Sequence, residues 1–321
     1  MEKSVIYYLF IICFISCLAN MNSNATTKKD FVQKGNKIDS LKTTEEVIQF
    51  AKYINPDFAR ENFGRLHIKT TDSIIKELKN CDLYKSWDIK NWQKIDLNND
   101  GRTDLIFTAL HYSNYAQYAI INMELNKYKI FILSNNIDYA CKILKPILIN
   151  NKNELLVNNY KTDAETISKE QTIHFIDTLT YKFDSFIELS DKPANYDIES
   201  IKFISDYNFE IEIDNNQNAH YKCLDKFNVS NLKGDFYKEE SNIKISPVYF
   251  NEIKKMMDYI SIRDLSNEYI LDGYDFPTVR LEIRFKNGSV KKIQDYGYQG
   301  TYGLKAIYDK MTNVVLETHW D

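Results

Sequence analysis

Between residues 92 and 189 the chain consists of short strand-like segments, and no helical pattern of ten residues lies between them. This feature restricts the fold most, because parallel strands need long crossover connections that usually contain a helix. The segments are instead separated by Asn-rich turns such as residues 150–153. The pattern therefore predicts an antiparallel meander, without deciding whether it closes into a barrel. The predicted strands are 92–97, 104–111, 118–123, 129–133, 141–149, 154–158, 172–177 and 181–189.

Two helices are predicted ahead of this meander. The first begins after Thr43, whose side chain suits an N-cap, and an acidic pair follows where the helix dipole favours negative charge. Its apolar stripe ends before Asn55 and Pro56, and proline stops helices. The second helix is predicted from about residue 71 to residue 78.

A smaller α+β domain is predicted after the polar segment 190–195, which contains one of the five prolines. In this domain, Ser246 and Pro247 form a typical helix start. Val290 and Ile293 break the two-residue period of the last strand, which predicts a β-bulge near Lys291 and Lys292. The remaining predicted elements are strands at 199–205, 209–213, 219–223 and 278–285 and a helix over 304–315.

The predicted class is therefore α+β: mainly an antiparallel β meander with N-terminal helices, followed by a smaller α+β domain. The two domains are assigned to residues 43–190 and 195–321.

The first residues have the features of an export signal. An apolar run over residues 5–15 follows Lys3 and is too short to span a bilayer. The sequence that ends in Ser16-Cys17 is similar to a lipobox, in which Cys17 is acylated after cleavage, although Phe14 replaces the usual leucine. Cleavage after Ala19 or Ala25 and a retained membrane anchor are the alternatives.

This pattern predicts a signal peptide over residues 1–16 and a polar tether over residues 17–42. The mature protein is expected to be exported as a periplasmic, outer-membrane or cell-surface lipoprotein, with the membrane as a partner through its lipid. The formal net charge is −4 and there is no long basic block, so nucleic acid is not an expected partner.

Three cysteines lie beyond the signal region: Cys81, Cys141 and Cys223. In an exported protein two of them could form a disulfide and leave the third free. The alternative is that all three are small buried apolar side chains. The sequence does not choose between these interpretations, and the absence of H-E-x-x-H and C-x-x-C spacing argues against a zinc site.

An acidic loop, residues 96–104, follows the pattern D-x-N-x-D-G-x-x-D. If the loop curls around a centre, the candidate ligands are the side chains of Asp96, Asn98, Asp100 and Asp104 with the carbonyl of Arg102. Hard oxygen donors of this kind suit Ca²⁺, so a structural calcium ion is predicted. The alternative is a plain Asn-Asp-Gly hairpin turn that needs no metal.

The same loop resembles the calcium loops of FG-GAP repeats, in which the acidic motif is followed by a strand. It is not an EF-hand loop, because the twelfth position carries Phe107 where an EF-hand has a bidentate glutamate. The resemblance covers about a dozen residues and occurs once, which argues against a propeller built of repeats.

Residues from about 198 to 313 resemble a bacterial family of unknown function, DUF6438. The resemblance rests on the segments 207–214, 233–236, 246–259, 277–281 and 291–297, of which Asp295-Tyr296-Gly297 is the most specific. Many members carry a paired-cysteine C-x-x-x-C-P signature before the first strand, and this chain does not. The resemblance implies an exported α+β domain and no particular activity.

The glycine-rich segment before the last helix is a candidate ligand site. It contains Asp295, Tyr296, Tyr298 and Tyr302 around three glycines, and free N–H groups at a helix start can hold an anion. No nucleophile stands in a recognisable catalytic motif. The first hypothesis is therefore a lipid-anchored, non-enzymatic binding protein for an unknown protein or small molecule. An exported hydrolase and a toxin-neutralising immunity protein are the alternatives.

Overall fold

The computed structural model describes residues 36–60, 65–124, 127–135, 137–162, 172–205, 209–224, 240–271 and 275–317. Within these ranges it contains seven α-helices: α1 (Lys37–Ser40), α2 (Thr44–Ile54), α3 (Thr71–Glu77), α4 (Asp82–Ser86), α5 (Ile137–Ala140), α6 (Pro247–Tyr259) and α7 (Tyr302–Glu317). None of the helices in the described ranges is long and apolar enough to cross a membrane.

The first sheet is a four-stranded antiparallel meander in the order β1-β2-β3-β4. Its strands are β1 (Trp92–Ile95), β2 (Asp104–His111), β3 (Asn114–Asn122) and β4 (Tyr128–Ser134). Helices α1 and α2 pack on one face of this sheet. Helix α2 starts with the predicted N-cap, because Thr43 and Glu46 form a reciprocal capping box.

The second sheet is another antiparallel meander, with strands β5 (Ile143–Ile149), β6 (Lys152–Thr162), β7 (Thr172–Lys182) and β8 (Ser185–Glu188) in that order. It packs against the opposite face of the first sheet through a shared apolar core. Side chains alternate between the two faces of β2, so Phe107 contacts the helices while Ile106 contacts the second sheet. The antiparallel meander that the sequence predicts is confirmed.

A small cluster at the end of these sheets is joined by a disulfide between Cys81 and Cys141. It combines α3, α4 and α5 with the aromatic residues Tyr84 and Tyr115. Cys223 is free. The disulfide settles the choice that the cysteine spacing left open.

The C-terminal part contains a seven-stranded sheet in the order β12-β11-β10-β9-β14-β15-β13. Only the β13–β15 pair in it is parallel. Helices α6 and α7 pack on this sheet and bury a continuous apolar core. Its strands are β9 (Ile198–Ile204), β10 (Phe209–Asp214), β11 (Asn218–Cys223), β12 (Glu240–Lys244), β13 (Glu268–Ile270), β14 (Thr278–Phe285) and β15 (Val290–Tyr296).

The bulge predicted near Lys291 and Lys292 is wrong, because β14 and β15 pair in unbroken register. Lys291 stands opposite Ile283, on the side that the alternation assigns to the core. Its ammonium donates to the carbonyl oxygens of Arg263, at 3.2 Å, and Leu265. The polar residue is therefore accommodated by carbonyl acceptors, and the strand needs no irregularity.

The predicted tether ends inside a packed segment. Ile38 and Leu41 are both buried in the core beneath the first sheet, so the packed chain includes residues before 42. Near the predicted domain border, the backbone N–H groups of Ser190, Ala194 and Tyr196 donate to residues of α6 or its end. The border at 190–195 stays a prediction.

Candidate functional site

The acidic loop is a coiled turn whose oxygens bind its own backbone. Asp96 accepts from the N–H groups of Asp100, at 3.1 Å, and Gly101, at 2.8 Å. Asp100 accepts from the N–H of Arg102 at 2.8 Å and also forms an ion pair with the Arg102 guanidinium. Gly101 has φ +84°, so the glycine provides the sharp turn that the motif predicts.

Asp104 lies at the base of this loop and is completely buried. Its carboxylate accepts from the N–H groups of Leu97 and Asn122, both at 2.8 Å, and of Asn98 at 3.3 Å. Burial raises the pKa of Asp104 to about 6, although these N–H groups oppose the shift. The side chain therefore links the segment after β1 to β2 and β3 at the point where the loop leaves the sheet.

The donor set of the loop fits Ca²⁺ in part. Asp96, Asn98 and Asp100 are oxygen-bearing side chains on one turn, which is the ligand chemistry that calcium prefers. Asp104 has both oxygens engaged by backbone N–H groups, and Arg102 places a positive charge on Asp100. Within the described ranges, no three acidic, histidine or cysteine side chains converge on one point. The calcium site stays a prediction.

Asn99 faces away from the loop centre and attaches the loop to the second sheet. Its side chain accepts from the N–H of Asn153 at 2.7 Å and donates to the carbonyl of Asn153 at 3.0 Å. The side chain of Asn153 returns a bond to the Asp96 carbonyl at 2.8 Å. The loop therefore joins the two meanders.

The start of α7 does not present free N–H groups to a ligand. The carboxylate of Glu188, at the end of β8, accepts from the N–H of Tyr302 at 2.6 Å and of Gly303 at 2.8 Å. A Cβ on Gly303 would lie 2.5 Å from Ile260 and 3.0 Å from the Glu188 carboxylate. The anion at this helix start is thus an internal glutamate, and the suggestion of a ligand bound to these N–H groups is wrong.

Asp295 also accepts hydrogen bonds from backbone N–H groups, in the turn before α7. It is completely buried and accepts from the N–H groups of Gln299, at 2.7 Å, and Gly300, at 2.9 Å. A Cβ on Gly300 would lie 2.6 Å from this carboxylate, so the glycine permits the close approach. Tyr296, another residue of the candidate segment, accepts from the N–H of Phe276 at 3.1 Å. The segment is therefore held by its own side chains.

Tyr302, at the start of α7, forms hydrogen bonds to both meander sheets. Its N–H binds Glu188 of the second sheet, and its hydroxyl donates to the carbonyl of Leu133, in β4 of the first sheet, at 2.7 Å. The ammonium of Lys142 lies 4.6 Å from the centre of its ring. This tyrosine stands where the C-terminal part meets the two meanders.

A cleft of about 990 Å³ opens beside Tyr302. One wall comes from β4, β6 and β7 with Lys142, and the other comes from the segment 297–301 and α7. Its aromatic lining includes Tyr160, Phe175, Tyr269 and Tyr298, none of which is fully buried. The volume is that of a typical small-molecule site.

Four lysines and four carboxylates line the cleft, and two of the lysines, Lys142 and Lys305, are partly buried in it without an ion pair among the described residues. Burial first, and then the charge of Lys305, lower the pKa of Lys142 to about 7, while Glu188 opposes the shift. The pKa of Lys305 is also lowered by burial, while Asp295, Glu188 and Asp309 act in the opposite direction. In the described part of the chain, neither ammonium lies within ion-pair distance of a carboxylate.

Cys17, the predicted lipidation residue, lies outside the described residues. So do residues 207, 208 and 233–236, which carry part of the family resemblance. The sequence singled out Tyr298, Tyr302 and Asp295 but missed Lys142, Glu188 and Lys305. No local pattern marks these three, since Glu188 and Tyr302 are 114 positions apart.

The fold and the cleft define an α+β protein with a ligand-sized site between its meanders and its C-terminal sheet. Residues 208–315 match a family described as Domain of unknown function (DUF6438), which confirms the resemblance of the C-terminal part. The match runs from the residue before β10 into α7. No curated protein and no solved structure matches the chain significantly.

Proposed function

We propose that this is an exported, lipid-anchored binding protein that holds a small-molecule ligand in the cleft beside Tyr302. The observation that carries the proposal is the cleft itself, which combines a ligand-sized volume, partly exposed aromatic rings and two lysines that form no ion pair with any described carboxylate. Ligand sites combine apolar and aromatic surface with convergent polar groups, and this cleft has both, with a larger polar share than most.

Export is supported by the Cys81–Cys141 disulfide, because disulfides persist in oxidising compartments and are rare in the cytosol. The N-terminal signal and the lipobox-like sequence ending at Cys17 agree with this. Together they support our proposal that the binding site lies on the outer side of the membrane, at the end of a lipid anchor.

Binding is favoured over hydrolysis by the state of the two best-buried carboxylates near the cleft. Glu188 and Asp295 each give both oxygens to backbone N–H groups, so neither has an oxygen ready to take a proton from water. A general base must lie within hydrogen-bond reach of the proton that it removes. The hydrolase alternative would instead need one of the other carboxylates that line the cleft, Asp184, Asp264, Asp309 or Glu317, as its base.

A large side chain placed in the cleft tests whether a ligand binds there. Asn313 is exposed on α7 and lines the cleft, whereas the adjacent Thr312 does not. We expect native mass spectrometry of the detergent-extracted protein to detect a co-purifying small molecule with wild type and Thr312→Trp, and not with Asn313→Trp. A wild-type protein without any such molecule, or equal retention by Asn313→Trp, would contradict the proposal.

The lipid anchor is tested at Cys17. We expect the wild-type protein to partition into the detergent phase and Cys17→Ser to move to the aqueous phase, since one or more acyl chains supply the membrane affinity. Cys223→Ser is the matched control and should stay in the detergent phase. A water-soluble wild-type protein that begins at residue 20 or 26 would show ordinary signal cleavage instead.

A structural calcium ion in the acidic loop is part of the same proposal, with Asp96, Asn98, Asp100 and the Arg102 carbonyl as its first donors. Binding to the folded state alone stabilises by about 2.7 kcal/mol at a hundredfold excess over Kd. We therefore expect millimolar Ca²⁺ to raise the melting temperature by a few degrees, more than Mg²⁺ does.

Asp100→Ala should remove this increment. Asn99→Ala should show the same rise in melting temperature with Ca²⁺. Its melting temperature without Ca²⁺ should be lower than that of wild type, because Asn99 binds the backbone of Asn153. Identical melting of wild type in Ca²⁺ and in chelator would show that the loop is a turn without a metal.

A further inference from the structure

We infer that Lys142 and Lys305 bind the oxyanion group, carboxylate or phosphate, of a small organic ligand in the cleft. The inference rests on the proposed binding function and adds the chemical class of the ligand. It starts from a difference between the lysines of the cleft. Lys310 is paired with Glu252 at 2.9 Å, and Lys129 donates to the Asp184 carbonyl at 2.7 Å.

Lys142 and Lys305 have no such acceptors among the described residues. Among the described residues, the Lys142 ammonium lies over the ring of Tyr302. The attraction between a cation and an aromatic face offsets only part of the free energy lost when the cation leaves water. Lys305 lies in the first turn of α7, above the glycine-rich segment, where the N-terminal helix dipole disfavours a positive charge. Two partly buried lysines thus share one cavity, and neither forms an ion pair among the described residues, although Asp309 lies close enough to favour the charge of Lys305.

The nearby carboxylates do not supply that anion. Glu188 and Asp295 influence the charge of these lysines, but their oxygens are held by the N–H groups of Tyr302, Gly303, Gln299 and Gly300. Asp309, which also lines the cleft and favours the charge of Lys305, forms no ion pair with either lysine among the described residues. An incoming oxyanion could accept hydrogen bonds from both ammonium groups. Charge-assisted bonds of this kind are roughly twice as strong as neutral ones.

The aromatic residues of the cleft indicate what the uncharged part of the ligand would be. Tyr160, Phe175, Tyr269 and Tyr298 offer partly exposed ring surface along its walls. Rings pack well against sugar or other cyclic bodies because they bury apolar area. A small anion with a ring or short apolar body matches both features.

The experiment uses the full chain with Lys142→Met and Lys305→Met, since methionine preserves most of the side-chain length without the charge. Lys145→Met is the matched control. Lys145 is also partly buried, and its ammonium lies over the ring of Trp87, but it is outside the cleft. The probes are inorganic phosphate, glucuronate and, as the neutral comparison, glucose, each measured by calorimetric titration.

We expect wild type and Lys145→Met to bind phosphate or glucuronate, and glucose to bind at least tenfold more weakly. Each cleft variant should lose about tenfold or more in affinity for the anion, which corresponds to about 1.4 kcal/mol. Whichever of phosphate and glucuronate binds more tightly identifies the oxyanion. Folding of the variants is checked by melting, and removal of a buried charge should not lower the melting temperature.

The pH dependence separates a direct role of Lys142 from a structural one. The groups that act on it are Lys305, Glu188 and the ring of Tyr302. Because burial lowers the pKa of Lys142 to about 7, anion affinity should be higher at pH 6 than at pH 9. Lys142→Met should flatten this profile, whereas Lys145→Met should leave it unchanged.

Unchanged anion affinity in folded Lys142→Met and Lys305→Met would overturn the inference. If a neutral molecule co-purifies with wild type and is lost in Asn313→Trp, this inference fails while the proposed binding function stands. If neither the anions nor any co-purifying molecule occupies the cleft, both fail.

Discussion

Replacement of both Cys81 and Cys141 by alanine will lower the free energy of unfolding by about 4 kcal/mol. The bond joins residues separated by 60 positions, and the chain-entropy model gives this value for a loop of that length. Both cysteines are buried against α3 and α4, so the cross-link also fixes the position of these short helices relative to α5.

Urea unfolding followed by tryptophan fluorescence measures this loss, because Trp87 packs against the same cluster and Trp92 lies on the first sheet. Cys223→Ala removes the free, partly buried thiol and is the matched control, with an expected change below about 1 kcal/mol. The midpoint of wild type should fall with a reducing agent, while that of the double variant should not. A double variant as stable as Cys223→Ala would show that the bond does not constrain the unfolded chain.

Glu188→Ala will lower the free energy of unfolding by about 3 kcal/mol. Two N–H groups at the start of α7 lose a charged acceptor, and each bond of this kind contributes roughly 1.5–3 kcal/mol. Burial opposes part of this gain, because it raises the pKa of Glu188 and so disfavours the carboxylate. Glu188→Gln keeps one acceptor oxygen, and about half of the loss is expected.

Glu199→Ala is the control, since Glu199 is an exposed glutamate on β9 and should change the stability by less than about 0.5 kcal/mol. Chemical unfolding measures the free energy of unfolding of each variant, and limited proteolysis shows which segment opens. Because Glu188 lies just before the segment 190–195, its loss should speed cleavage there. Equal stability and equal cleavage rates in Glu188→Ala and Glu199→Ala would show that the hydrogen bonds from α7 to Glu188 do not stabilise the fold.

The sequence predicted those elements whose pattern is local. Strands β2 and β14 were predicted with their observed ends, because uninterrupted apolar character or clean alternation marks each of them. The N-caps Thr43 and Ser246 were also predicted, since a cap depends on its own next three residues. The short edge strands β12 and β13 were missed because five and three residues carry too little periodicity.

The candidate site was predicted less completely, for a physical reason. Its walls come from segments between residues 129 and 317, and a single sequence does not state which of them meet. Lys142 has nothing in its neighbourhood that marks it as a cleft residue. The glycine-rich segment was noticed, but the partner of its N–H groups was assigned to a ligand because Glu188 is remote in the chain.

Tyr302 lies where the region that matches the family meets the part of the chain outside it. The region that matches the family, residues 208–315, contributes Lys305 and α7, while Lys142, Glu188 and the Leu133 carbonyl lie outside it. Without the meanders, the family region would lack Glu188 as the acceptor for the N–H groups of α7 and Lys142 as the second lysine of the cleft. The ligand preference that we propose therefore depends on both parts of this chain.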